Sequence, residues 1–137
     1  MDGMEITAFS TMRVVESIKE FLARFHKTIQ DFDGVALHQA NAQIVRTMGR
    51  RLKIPPEKLP MTVETLANTN GASVLLTIID AYAGKSGPLH LLACAFGIGL
   101  SWGIADFTLD AGLIVPMITT DLIIEDDFLR PLPEDAK

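Results

Sequence analysis

Residues 87–105 contain no charged side chain, and this run of 19 positions strongly limits how the chain can fold. Its length approaches that of a helix that spans a membrane. Pro88, Gly97, Gly99 and Gly103 interrupt the run, however, and such residues destabilise the interior of a helix. The run therefore favours buried strands over the alternative of a transmembrane helix, and we expect no membrane span.

The same run divides into two predicted strands. Residues 89–96 and 100–108 are apolar segments of strand length, and a glycine-rich turn joins them. A segment without charges is typical of the middle of a sheet that is covered on both faces. We predict that the sheet ends in a β-hairpin over residues 89–109.

The remainder of the chain alternates between helical and strand patterns. Apolar residues three and four positions apart indicate amphipathic helices, the second ending before Pro55 and Pro56 and the third before a capping Gly84. The predicted helices are residues 6–25, 41–52 and 74–83, and the predicted short strands are residues 35–37 and 61–63. This order predicts an α/β fold in which helices pack on a sheet.

Composition limits the class of protein. With 137 residues, of which 48% are hydrophobic, the chain can bury one ordinary core, so we expect one domain. A net charge of -5, without a cluster of lysine and arginine, argues against nucleic acid as a partner. A single cysteine, Cys94, and no signal-peptide pattern favour a reducing, cytoplasmic location.

Two further patterns bear on binding. His90 and Cys94 share one face of a predicted strand, but two ligands are too few for a metal site, so no metal is expected. Residues 113–124 are apolar enough to pack against another surface, whereas residues 125–137 are acidic and contain two prolines. The latter composition predicts a solvated tail.

Two polar motifs follow predicted strands and form the candidate site. The sequence HQAN occupies residues 38–41, and NTNGAS begins 30 positions after His38, at Asn68. An imidazole and a carboxamide can act on a ligand, although His38 can also be a structural histidine and Asn68 the cap of the following helix. No nucleophile precedes the histidine, which indicates half of an active site.

Four motifs in order resemble the C-terminal half of β-ketoacyl-acyl carrier protein synthase III, a thiolase-like condensing enzyme. They are MDG at residues 1–3, HQAN at 38–41, NTNGAS at 68–73 and AFGIGLSWG at 95–103. The resemblance covers residues 1–109, which it identifies as the C-terminal domain, and leaves residues 110–137 as an extension of unknown role. It implies the second of two similar α/β halves, whose mixed sheets pack together between layers of helices.

The resemblance implies a Cys-His-Asn catalytic set, of which this chain holds His38 and Asn68. The cysteine belongs to a first half that is not supplied here, and Cys94 corresponds to an ordinary core position. In the implied reaction of fatty acid biosynthesis, an acyl group moves from coenzyme A to the cysteine, and a decarboxylated malonyl thioester attacks it. No cofactor is implied; acyl-CoA and malonyl-acyl carrier protein are the substrates.

The resemblance also assigns residues around the substrate. It implies that the backbone N–H of Ile98 contributes to the oxyanion hole and that Asn41, Phe96, Gly97 and Gly99 line the substrate pocket. Ile98 stands where the family usually has glycine or alanine. We therefore expect altered acyl-chain selection or a shifted turn, because a β-branched residue disfavours positive φ.

Carrier-protein docking is implied on the helix that follows the first motif. Gln43 stands where the better-studied members carry a basic residue, and Arg46 and Arg50 on the same helix can substitute for it. Ala67, in place of a family glycine, is a milder departure.

Two functional hypotheses remain. In the first, the chain is the catalytic half of an acyltransferase, inactive until a cysteine-bearing half completes it, in fatty acid synthesis or in specialised metabolism. In the second, it is a non-catalytic thiolase-like module that binds another subunit. Because 48% of so short a chain is apolar, we expect self-association into a homo-oligomer such as a dimer, or poor solubility, when the chain is alone.

Overall fold

The computed structural model describes residues 7–97 and 99–120. Three strands form one sheet in the order β1-β2-β3: β1 is Gly34–Leu37, β2 is Pro88–Gly97 and β3 is Ser101–Asp110. Strand β1 runs parallel to β2, and β2 runs antiparallel to β3. The predicted α/β class, the mixed sheet and the terminal hairpin are confirmed.

Helices connect and cover the strands. A π-helical segment, Phe9–Val14, continues into α1, and the α-helices are α1 at Val15–Arg24, α2 at Ala42–Leu52, α3 at Val63–Leu66 and α4 at Ser73–Tyr82. Short 3-10 turns lie at Ile29–Asp31, Pro56–Lys58, Asn70–Ala72 and Ala111–Leu113. The three predicted helices are present, although the predicted start at residue 6 lies outside the described residues. No helix in the described part of the chain is both long and apolar enough to cross a membrane.

Strand β2 supplies a core on each face of the sheet. Successive side chains of a strand point to opposite faces, so Leu92, Cys94 and Phe96 join one buried cluster with residues of α1 and α2. Leu91 and Ala93 join a second cluster with Val74, Ile78 and Tyr82 of α4. The expectation that the charge-free segment is covered on both faces is therefore confirmed for β2.

The same expectation is wrong for β3. This strand is the edge of the described sheet, with β2 as its neighbour on one side. Ser101 and Gly103 are exposed, and Trp102 is 37% exposed although Phe9 packs edge-on against its ring. An uncharged segment predicts an apolar surface. It does not predict whether the helices of the same chain cover that surface.

Residues 61–63 do not form the predicted strand. The backbone N–H groups of Thr62 and Val63 both donate to Oε1 of Gln39, at 3.0 and 3.2 Å, and Val63 begins α3. A buried side-chain acceptor far away in sequence thus takes the donors that a strand neighbour would otherwise satisfy. As a result Asn68 follows a helix, and the predicted position at a strand end is also wrong.

Two further predictions are met in part. The three-and-four spacing predicts a buried stripe on the first helix; Val15, Ile18 and Leu22 are buried, whereas Met12 and Phe25 are 62% and 52% exposed. In the apolar segment predicted to pack against another surface, Ile114 packs against the second core cluster, whereas Leu113 and Ile118 are 78% and 89% exposed. The remainder of that segment and the predicted acidic tail, residues 121–137, lie outside the described residues.

His90 and Lys27 connect β3 to the segment before β1. The ring of His90 lies 2.7 Å through Nε2 from Oδ1 of Asp106 and 2.8 Å through Nδ1 from the carbonyl oxygen of Asp31. Lys27 forms an ion pair with the same Asp106 carboxylate. The pKa of Asp106 is lowered, mainly by the hydrogen bond from Lys27 and to a smaller extent by the hydrogen bond with His90. Among the described residues, no group of three or more His, Cys, Asp or Glu side chains could hold a metal ion.

Candidate functional site

His38 lies at the carboxyl end of β1, where the sheet holds its backbone. Its N–H donates to the carbonyl oxygen of Cys94 on β2 at 2.8 Å, at the last pair of the parallel ladder, Leu37 and Cys94. The side chain is 6% exposed, and the ring of Phe96 packs edge-on against it with centroids 4.8 Å apart. Burial lowers the pKa of His38, so the imidazole is neutral at pH 7.

The two ring nitrogens of His38 have different surroundings. Nδ1 lies 2.7 Å from Oγ of Ser73, the first residue of α4. Within the described residues Nε2 has no hydrogen-bond partner, and no unpartnered side-chain nitrogen is fully buried, so Nε2 keeps access to solvent. One nitrogen is therefore anchored, and the other is available to a ligand.

Gln39 organises the backbone around the histidine. This side chain is fully buried; its Nε2 donates to the carbonyl of Leu37 at 2.8 Å, and its Oε1 receives the donors of Thr62 and Val63. Sequence reasoning included Gln39 and Ser73 in the two motifs but assigned neither a role. Both could have been recognised as polar residues at positions that the strand and helix periods predict to be buried, because buried polar groups normally have hydrogen-bond partners.

Asn68 lies in the loop between α3 and α4, and its side chain is exposed. Its Oδ1 accepts a hydrogen bond from the backbone N–H of Asn70 at 2.9 Å. The alternative that Asn68 caps α4 is wrong, because α4 begins without a side-chain cap and the carboxamide stabilises the preceding turn. His38 and Asn68 share no hydrogen bond in the described part of the chain, and α4, through Ser73, links the loop to His38.

Ala67 has a backbone conformation that L-residues rarely adopt, with φ 55° and ψ -161°. This region is essentially restricted to glycine, and a residue with a side chain there costs about 1–3 kcal/mol. Ala67→Gly should therefore raise the free energy of unfolding by about 1 kcal/mol, after the added freedom of glycine in the unfolded chain is subtracted. Urea titration followed by circular dichroism measures the change.

The matched control for that prediction is Ala23→Gly. Ala23 is exposed in the last turn of α1, where glycine should lower the free energy of unfolding by about 0.5 kcal/mol. Opposite signs for the same substitution are the expected result. Destabilisation by Ala67→Gly would contradict the assigned backbone conformation.

Cys94 is a core residue and not a nucleophile. The side chain is fully buried between Leu92 and Phe96 in the first core cluster, and burial raises the pKa of the thiol to about 12. The thiolate is the reactive form of cysteine, and it is nearly absent at neutral pH when the pKa is so high. Although the Cys94 carbonyl contacts the backbone of His38, its sulfur does not complete the site.

The remaining candidate pocket residues surround the hairpin turn and the start of α2. Phe96 is buried against His38, whereas Gly97 and Gly99 are exposed, and Gly99 has φ 91°. Ile98 lies outside the described residues. Asn41 caps α2, because its Oδ1 accepts the backbone N–H of Ile44 at 2.8 Å. Its side chain thus has a capping role in the helix, in addition to the pocket role that the resemblance implies.

The candidate docking residues lie on the exposed face of α2. Gln43 is exposed, and its side chain is uncharged. Arg50 donates a hydrogen bond to Oγ1 of Thr47 at 3.1 Å. Arg46 forms an ion pair with Glu64 at 2.5 Å, and both side chains are more than half exposed. Exposed pairs of this kind contribute little to stability, so Arg46 can exchange Glu64 for another carboxylate at low cost.

The mixed sheet, with helices packed on both faces of β2, and the buried His38 at the end of β1 belong to a thiolase-like fold. A 3-oxoacyl-(acyl-carrier protein) synthase from Burkholderia xenovorans has this fold, with a TM-score of 0.81 and 29% identity over 88% of this chain and 35% of that one. The β-ketoacyl-[acyl carrier protein] synthase III from Thermus thermophilus gives 0.71 and 28% identity over 80% and 35%.

Residues 22–109 match the family described as 3-oxoacyl-[acyl-carrier-protein (ACP)] synthase III C terminal. The β-ketoacyl-[acyl-carrier-protein] synthase III of Microcystis aeruginosa is 38% identical over 105 residues, which make up 75% of this chain and 32% of that protein. The chain belongs to the synthase III family and matches its C-terminal part. It spans about a third of the length of the curated relatives that it matches.

Proposed function

We propose that this chain supplies the histidine and asparagine of a 3-oxoacyl-acyl carrier protein synthase III, whose cysteine lies on another segment. The observation that carries the proposal is the pair of environments at His38: Nδ1 is held by Ser73, while Nε2 is unpartnered within the described residues and retains solvent access. A neutral imidazole fixed in this way is suited to donate a hydrogen bond to a substrate oxygen. Membership of the family supports the same assignment.

The proposed chemistry has two stages. An acyl group passes from coenzyme A to the cysteine sulfur as a thioester. The bond between the malonyl methylene carbon and its carboxylate then breaks, carbon dioxide leaves, and the electron pair moves onto the thioester oxygen as an enolate. The enolate carbon attacks the acyl carbonyl, a carbon–carbon bond forms, and the cysteine leaves as a thiolate.

His38 and Asn68 act on the second stage. The enolate develops negative charge on an oxygen, and two neutral donors aimed at that oxygen lower the barrier as the charge appears. Nε2–H of His38 and the exposed carboxamide nitrogen of Asn68 are the two donors. Because the pKa of His38 is lowered by burial, the ring stays neutral beside the substrate at pH 7.

The other assigned residues serve binding. The backbone N–H of Ile98 donates to the oxyanion that forms when the acyl carbonyl is attacked, and Asn41, Phe96, Gly97 and Gly99 border the acyl and malonyl groups. Gln43, Arg46 and Arg50 contact the acidic carrier protein from the exposed face of α2. Residues 1–109 form the condensing-enzyme domain, and residues 110–137 form an extension.

Exposed apolar side chains in the described part of the chain indicate where a partner can bind. The exposed apolar side chains Leu100, in the hairpin turn, and Trp102, near the start of β3, form a surface that the cysteine-bearing segment or a second copy of the assembled enzyme can cover. The same surface is the observation that favours the second candidate function, a non-catalytic module that binds another subunit. Retention of a polar, partly accessible His38 favours the catalytic role.

A chimaera tests the proposal. In it, this chain replaces the corresponding third of the Microcystis aeruginosa synthase III, so that the relative supplies the cysteine-bearing remainder. Mass spectrometry of 3-oxoacyl products should detect condensation by the chimaera and none by the 137-residue chain alone.

Two control substitutions distinguish Cys94 from the cysteine that the relative supplies as the nucleophile. Cys94→Ala should leave product formation by the chimaera unchanged within about twofold, because a buried thiol with a pKa of about 12 is not the nucleophile. Substitution of the cysteine supplied by the relative should abolish it. Condensation by the isolated chain, or loss of activity in Cys94→Ala with the fold intact, would contradict the proposal.

A further inference from the structure

The hydroxyl group of Ser73 occupies a position that decides where His38 carries its proton. Ser73 is 1% exposed, and two groups contact its Oγ in the described part of the chain: the backbone N–H of Gln39 at 3.2 Å and Nδ1 of His38 at 2.7 Å. A hydroxyl group has one hydrogen to donate and two lone pairs that accept. The direction of the hydrogen bond with Gln39 therefore decides which role is left for the hydroxyl group towards Nδ1.

The backbone N–H of Gln39 can only donate, so Oγ of Ser73 is the acceptor in that contact. The hydroxyl hydrogen then needs an acceptor of its own, because a buried donor without one is costly. Among the described residues, the acceptor within reach is Nδ1 of His38. A nitrogen that accepts a hydrogen bond bears no proton, and a neutral imidazole must then carry its proton on Nε2.

We propose that Ser73 is a positioning residue that holds His38 in the tautomer with its proton on Nε2, the nitrogen left for the substrate. The inference rests on the proposed function only for its catalytic consequence. The reverse arrangement, in which Nδ1–H donates to Oγ, would leave the serine hydrogen without an acceptor. It would also leave an electron pair, and no proton, on the nitrogen that faces the substrate.

The serine is itself held at two points, its backbone carbonyl and its hydroxyl group. Its backbone carbonyl accepts a hydrogen bond from Oγ1 of Thr77 at 2.8 Å, and that hydroxyl lies 2.7 Å from Oγ1 of Thr62. Thr62 donates through its N–H to Oε1 of Gln39, whose own N–H contacts Oγ of Ser73. The four residues are each 2% exposed or less. Such a closed, buried network keeps the first turn of α4 at a fixed distance from the end of β1.

The ring of His38 has little freedom to leave this arrangement. Phe96 packs against it with an interplanar angle of 73°, and the His38 backbone is fixed to Cys94. The sequence motifs contain both His38 and Ser73 but do not show that the two side chains are partners. Ser73 lies 35 positions away, and only the packing of α4 against β1 brings the two together.

Nitrogen-15 NMR of the 137-residue chain tests the inference without any assay of activity. Long-range proton–nitrogen spectra, recorded above the pKa of His38, distinguish the two tautomers directly. The wild-type chain should carry the proton on Nε2, with the Nδ1 resonance displaced by an accepted hydrogen bond. A proton on Nδ1 in the wild-type chain would overturn the inference.

Three variants separate positioning from structure. Ser73→Ala should shift the Nδ1 resonance towards that of an imidazole nitrogen without a hydrogen bond, and Ser73→Thr, which keeps the hydroxyl, should restore the wild-type value. Thr77→Val removes the hydroxyl that braces the serine carbonyl, and it should lower stability without changing the tautomer. An Nδ1 resonance that is the same in wild type and folded Ser73→Ala would also overturn the inference. If Ser73→Ala does not fold, the tautomer of the wild-type chain and the Nδ1 resonance of Ser73→Thr still test the inference.

The catalytic consequence is measured in the chimaera. Ser73→Ala should lower kcat for malonyl decarboxylation about tenfold with KM little changed, a factor that corresponds to the loss of one neutral hydrogen bond. Ser73→Thr should recover most of this rate. If the tautomer is as proposed but the chimaera is inactive, the proposed function fails while the role of Ser73 in the fold stands.

Discussion

Replacing His38 by alanine should lower the rate of malonyl decarboxylation by the chimaera by about 10²–10³-fold, or about 2.7–4 kcal/mol in the barrier. The physical reason is the position of the histidine. Its Nδ1 is anchored to Ser73, so in the proposed mechanism the ring acts through Nε2 on the enolate oxygen as that oxygen gains charge. Release of carbon dioxide from malonyl thioester measures the rate.

The first stage of the reaction serves as an internal control. Transfer of the acyl group to the cysteine does not require the enolate, so mass spectrometry should still detect an acylated cysteine in His38→Ala. His26→Asn, at an exposed position with φ 53° that asparagine tolerates, should leave both stages unchanged. A decarboxylation rate within threefold of wild type, in a folded His38→Ala, would remove the histidine from the proposed mechanism.

Leu92→Ala should lower the free energy of unfolding by about 2–5 kcal/mol, the largest effect on stability that we expect. Leu92 is fully buried in β2, opposite Val35 of β1 and Asp106 of β3. Truncation removes apolar contacts and leaves a cavity that the surrounding strands cannot close. Urea denaturation followed by circular dichroism and by the fluorescence of Trp102 measures the change.

Leu113→Ala is the matched control, because it makes the same change at a side chain that is 78% exposed. It should alter stability by less than about 0.5 kcal/mol. A small effect of Leu92→Ala as well would mean that the middle strand lacks a packed core. Such a result would also weaken the site, since β2 supplies both the carbonyl that binds the His38 N–H and the ring of Phe96.

The hydrophobic pattern was sufficient to predict most of the fold. A continuous apolar run of strand length along β2 and a three-and-four spacing along α1 and α2 are properties of residues close together in the chain, so they can be recognised from the sequence. The glycines of the hairpin turn and the residues that stop α2 act over equally short distances. For this reason α2 and α4 lie within one residue of their predicted bounds, and α1 ends within one residue of its predicted end.

The strand predicted at residues 61–63 failed for the opposite reason. Thr62 and Val63 have suitable strand propensity, but their donors bind Oε1 of Gln39, more than twenty positions earlier in the chain. Propensity does not contain that partner, and a buried amide oxygen is a stronger determinant than the preference of three residues. The error also misplaced Asn68, which follows α3 instead of a strand.

The sequence by itself determined the class of fold, the position of His38 at a strand end and the family of the chain. These follow from spacing and motif, which are properties of residues near one another. Only the tertiary structure decided which side chain orients His38, which faces of β3 remain exposed and why Cys94 is inert. Each of these depends on residues far apart in the chain that packing brings within hydrogen-bonding distance or removes from water.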